Sequence, residues 1–95
     1  MGMELGGNIE LIGFSEVDPN DLVIIKKIVG NYTKDLADGV DNFERISVTL
    51  TQQGPFEVVS AAVVGSETFS AKTNDNNLYF ALDACLKQVL SAAGL

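Results

Sequence analysis

The sequence predicts an α+β domain of order β-α-β-β-β-α, with a four-stranded sheet and both helices on one face. Three observations carry this. Residues 43–53 alternate apolar and polar, and residues 19–38 and 78–93 repeat apolar positions at helical spacing. Tight turns at Gln53-Gly54-Pro55 and Gly65-Ser66-Glu67 divide the region between the helices into consecutive strands. At 95 residues the chain holds one core, so 1–95 is read as a single domain.

Gly6-Gly7 separates a short leader from Asn8–Glu16, where Ile9, Leu11, Ile12 and Phe14 make a strand of about seven residues. Asp18 is then placed as N-cap, Pro19 as first helical residue and Asp21 as capping partner. Leu22, Ile25, Val29, Tyr32 and Leu36 form the apolar stripe of this helix, widened by Ile28. Gly30 inside it is a tolerated defect costing about 1 kcal/mol relative to alanine, and Gly39 is expected to end it as an achiral C-cap.

In the second strand Ile46, Val48 and Leu50 face one side, Arg45, Ser47, Thr49 and Thr51 the other. Phe56–Gly65 is apolar on both faces: Val59, Ala61 and Val63 alternate with Val58, Ser60 and Ala62. Whichever set meets the helices, the other wants a cover, and a homodimer through the open sheet face supplies one. Phe69 and Ala71 alternate with Ser70 and Lys72 in the last strand. Asn74 or Asp75 caps the final helix, whose stripe is Leu78, Leu82, Cys85, Val89 and Ala93.

Chemistry is narrowly bounded. There is no histidine, which removes the usual general base near neutral pH and the commonest transition-metal ligand. Cys85 is the only cysteine and lies on an apolar stripe, as a buried structural thiol does. Asp35, Asp38, Asp41 and Glu44 lack the spacing of a calcium loop. The expectation is a non-enzymatic protein with no metal, cofactor or small-molecule substrate. No apolar run reaches the ~20 residues of a membrane span, and no signal peptide is evident, so the cytoplasm is expected. Thirteen acidic residues against six basic ones give a net charge of −7, which repels nucleic acid unless the cations gather on one face.

The last helix, Asn76-Asn77-Leu78-Tyr79-Phe80-Ala81-Leu82-Asp83-Ala84 with Lys87 following, resembles the ribosome hibernation-promoting and ribosome-associated inhibitor family, also called sigma-factor modulation proteins. Ile46-Ser47-Val48-Thr49-Leu50 echoes the same family's second-strand pattern. The resemblance implies docking on rRNA of the small ribosomal subunit near the decoding region, which restrains translation. It places Lys26, Lys27 and Lys87 at basic RNA-contacting positions, with Lys34 and Lys72 nearby, and makes Tyr79 and Asp83 the signature of the last helix. The turn Gln52–Pro55 and the tail Ser91–Leu95 lack the cations usual in that family. The alternative on the same scaffold is an acidic protein-interaction or homodimerisation module that binds no RNA. Tyr79 then plugs the helix–sheet junction with its hydroxyl on a carboxylate, and Asp83 pairs with Lys87 one turn on.

Overall fold

A 21-residue helix separates two strands that lie side by side and parallel, the arrangement that a helical crossover allows. The computed structural model describes residues 2–5, 8–52 and 54–95. Its elements are β1 (Gly2–Leu5), β2 (Ile9–Ile12), α1 (Pro19–Gly39), β3 (Phe43–Gln52), β4 (Phe56–Val64), β5 (Glu67–Asp75) and α2 (Leu78–Ala92). The sheet order is β1-β2-β3-β4-β5; only β2 and β3 are parallel. β2 to β5 with the two helices are the expected α+β arrangement, and β1, read from sequence as a leader, extends the sheet beside β2. The Gly6-Gly7 separator lies outside the described residues, as does Gln53 of the first turn.

The register aligns side chains into rows. Leu11 pairs with Val48, Val48 with Ser60, and Ser60 with Ala71, so this row shares one face. Leu11, Val48 and Ser60 are fully buried there, under Ile25, Val29 and Leu36 of α1 and Leu82, Cys85, Leu86 and Val89 of α2. On β4 the helix-facing set is therefore Val58, Ser60 and Ala62, and Val59, Ala61 and Val63 are half-buried on the outer face. The Ser60 hydroxyl has no hydrogen-bond partner.

Local details depart from expectation for tertiary reasons. β2 stops at Ile12 because Gly13 turns to φ +82, where any Cβ would collide with the backbone carbonyl of Leu50. Phe14 is still fully buried, as a loop residue rather than a strand one. Asp18 caps α1, its carboxylate accepting the Asn20 N–H at 2.8 Å. Gly39 is not an achiral cap: Val40 is the C-cap, in extended conformation, and Gly39 makes room for the Leu95 side chain, which would lie 2.6 Å from an added Cβ. The cap of α2 is Asn77, accepting from the N–H groups of Tyr79 and Phe80 at 2.9 and 3.2 Å. Asp75, still in β5, instead accepts the Asn77 N–H.

Candidate nucleic-acid interface

Lys27 and Lys34 stand exposed on α1, seven residues and two turns apart, on the side away from the Ile25–Val29–Leu36 stripe. Lys26, beside Ile25, is half-buried on the flank. Lys87 is exposed on α2 and ion-paired to Asp83 at 3.1 Å. Four of the five lysine positions thus lie in the helix layer. Lys72 does not join them: it pairs in register with Val59 on the outer face of the sheet, where its ammonium lies 3.5 Å from Glu57.

Carboxylates interleave with the helix-layer lysines. Ile28, Asn31, Tyr32, Asp35 and Asp83 line a groove of about 370 Å³ between α1 and α2. Asp38, four residues after Lys34, is exposed as well. Val23, Ile24 and Phe80 add exposed apolar surface to the same layer.

Two tyrosines brace the helices reciprocally. The Tyr32 hydroxyl of α1 donates to Asp83 of α2, and the Tyr79 hydroxyl of α2 donates to Asp21 of α1 at 2.6 Å. Burial, then the bond to Asp83, then the charges of Asp83 and Asp35 push the Tyr32 phenol up to about 12. Donation to Asp21 raises the Tyr79 phenol. The Tyr32 hydroxyl holds the Asp83 carboxyl below its ordinary value against its partial burial, and Lys87 adds to the effect. The signature residues Tyr79 and Asp83 therefore each serve helix–helix contact, with the carboxylate partner and the Lys87 pair that the sequence suggests. Sequence reasoning missed Asp21 and Tyr32 as their partners. The signal was present: eleven residues are just over three whole turns, which puts Asp21 and Tyr32 on one side of α1.

Cys85 is fully buried, its sulfur 3.5 and 3.3 Å from the carbonyl oxygens of Val58 and Ala71. Among the described residues no three histidine, cysteine or acidic side chains are grouped to hold a metal ion. Among the described residues no helix is long and apolar enough to cross a membrane.

No family model matches the sequence, and no curated protein does. Solved structures do match. The N-terminal domain of Protein Y from Thermus thermophilus superposes with a TM-score of 0.64 over 95% of this chain and 94% of its own, at 13% identity. This chain has the Protein Y fold. A ribosomal subunit interface protein from Coxiella burnetii gives a TM-score of 0.65 at 10% identity, over 90% of this chain and 89% of its own. At such identities the likeness to Protein Y is one of fold, and the resemblance read from the last helix and second strand holds at that level.

Proposed function

We propose that this domain is a ribosome-associated factor that restrains translation by laying its helix layer on rRNA of the small subunit. The supporting observation is a fold shared over nearly the whole length with the Protein Y domain, on which Lys26, Lys27, Lys34 and Lys87 fall in one layer. Shape selects the site and the lysines supply a modest attraction to phosphates. The protein works in the cytoplasm, without catalysis or cofactor. Its outer sheet face, centred on Val59, Ala61 and Val63, stays clear of the ribosome in this mode.

A second reading has its own support: Asp35, Asp38 and Asp83 lie among Lys34 and Lys87, which suits an interaction module that leaves RNA alone. Sedimentation with purified small subunits separates the two. The proposed function requires co-pelleting at low salt and release as salt rises. It also requires that Lys26, Lys27 and Lys87 changed together to glutamate abolish pelleting. Absence of the protein from the low-salt pellet would leave the interaction module standing.

A further inference from the structure

Where α1 and α2 begin, the domain holds a cavity that docking on rRNA leaves unused. Asp21 in the first turn of α1, Phe56 at the start of β4, and Asn76, Asn77, Leu78 and Tyr79 at the entry to α2 line about 240 Å³. A second hollow of about 320 Å³, lined by Pro55, Asn74, Asp75 and Asn76, shares Asn76 with it. Leu78 is buried, while Phe56 and Tyr79 are half-buried and so leave part of their surface open. We propose that this cavity is a docking site for a partner protein and takes an arginine side chain from a basic segment of that partner.

Charge decides the sign of the occupant. Asp18, Asp21 and Asp75 are all exposed at this end, and none has an ion pair among the described residues. No lysine or arginine lines either hollow, and Lys72 on β5 is paired with Glu57 at 3.5 Å. Tyr79 feels these carboxylates: its bond to Asp21, then its partial desolvation, then the charges of Asp21 and Asp18 raise its phenol. Helix N-termini ordinarily favour anions, but here the chain's own side chains occupy the leading N–H groups. Asp18 accepts from Asn20, Asp75 from Asn77, and Asn77 from Tyr79 and Phe80. A phosphate meets carboxylates standing over capped donors, whereas a cation meets its complement.

The lining selects arginine among cations. One oxygen of Asp21 accepts the Tyr79 hydroxyl at 2.6 Å, which holds the carboxylate in place; its other oxygen has no partner among the described residues. A guanidinium is planar, stacks on aromatic faces such as Phe56 and Tyr79, and donates in several directions at once, to Asp21 and to the Asn76 amide oxygen. Its aliphatic stem suits the apolar surface of Phe56. A lysine ammonium is a strongly hydrated point charge and gains less from such walls. Size separates a side chain from a free small molecule: about 240 Å³ falls below the ~300–1,000 Å³ of small-molecule sites. The arginine is therefore one anchor of a larger contact, and the hollow beside Asp75 receives its neighbours in the segment.

Nuclear magnetic resonance titration of the full chain with acetyl-glycyl-arginyl-glycine amide, up to about 20 mM, tests this. The amide signals of Phe56, Asn76, Asn77 and Tyr79 should shift and saturate. The lysine peptide should bind at least about threefold more weakly, and the uncharged citrulline peptide should not saturate. Asp21→Asn, which keeps an oxygen for the Tyr79 hydroxyl, should weaken binding about tenfold. Asn76→Ala, at an exposed position, should weaken it about threefold and serves if the first variant folds poorly. Glu67→Gln, exposed at the other end of β5, should change nothing. Absence of saturable shifts, citrulline binding as tight as arginine, or indifference to both cavity variants overturns the proposal. So does a uridine hexanucleotide that shifts the same amides more strongly, which would assign the cavity to nucleic acid. The site does not rest on ribosome docking, since the lysines of the helix layer lie outside it. A chain that pellets with small subunits yet ignores the arginine peptide refutes this inference alone.

Discussion

Salt is the sharpest probe of the proposed docking, because the structure says how many lysines can answer to it. Lys26, Lys27 and Lys34 make no ion pair among the described residues, whereas Lys87 is committed to Asp83. Each phosphate neutralised contributes about 0.7–0.9 to the log–log slope of affinity against salt, so three lysines give a slope of about 2–3. Raising salt from about 50 to 200 mM should then weaken binding about 20–40-fold. Lys27→Gln should cut that factor to about tenfold. Lys72→Gln, on the opposite face, should change nothing. Asp83→Asn should steepen the dependence by releasing Lys87, and the new amide oxygen can still accept from Tyr32. The measurement is small-subunit binding by fluorescence anisotropy over a salt series. A flat salt dependence, or a Lys72→Gln variant as damaged as Lys27→Gln, would refute the reasoning.

Gly13→Ala and Gly30→Ala should move the urea midpoint in opposite directions. The first forces a left-handed residue costing about 1–2 kcal/mol and a collision with Leu50, while the second, with nothing within 4 Å, should stabilise by about 0.5–1 kcal/mol. Ser60→Ala removes a buried, unpartnered hydroxyl and should raise the melting temperature, by up to about 1 kcal/mol in stability; a fall would mean the hydroxyl is satisfied. In a Tyr79→Phe background, phenolate absorbance should report Tyr32 ionising near 12, and Asp83→Asn should return it only part-way to 10.0, because burial is the larger cause. The raised value means that the Tyr32 contribution to stability is complete below pH 10 and is lost as pH climbs through about 12. Asp83 acts at the other end: its lowered pKa gives stability that is present above the ordinary carboxylate range and disappears as acid protonates it.

The fold was legible wherever one periodicity dominated. Ile46, Val48 and Leu50 all face the helices, as their alternation requires, and the stripes of both helices are buried along their centres, with Leu22, Ile28, Tyr32 and Ala93 half-buried at their margins. The pattern failed where it was degenerate or where distant backbone intervened. β4 is apolar on both sides, so only the packing of α2, with Cys85 against Val58, fixes which side is inner. β2 ends early because of Leu50, thirty-seven residues further on. β1 is only four residues long, too short for the alternation of Met3, Glu4 and Leu5 to mark a strand, and it pairs along the edge that β2 offers.

The interface was legible as residues but not as relations. Helical spacing places the lysines; no spacing rule says that Lys72 lies across the sheet from them, since that depends on β5 pairing with β4. Nor does pattern reveal that the carboxylates are spoken for. Asp83 accepts from Tyr32 and pairs with Lys87, so one side chain joins the brace between the helices to a cation of the proposed docking surface. While that pair holds, Lys87 is withheld from phosphate, and releasing it would leave Asp83 still held by Tyr32. The helices can therefore give up a lysine to a ligand without losing the contact that keeps their spacing. The tyrosine hydroxyls that hold Asp21 and Asp83 fix where those carboxylates stand but are themselves neutral, so docking on an anionic surface has to come from lysines that reach phosphate ahead of them.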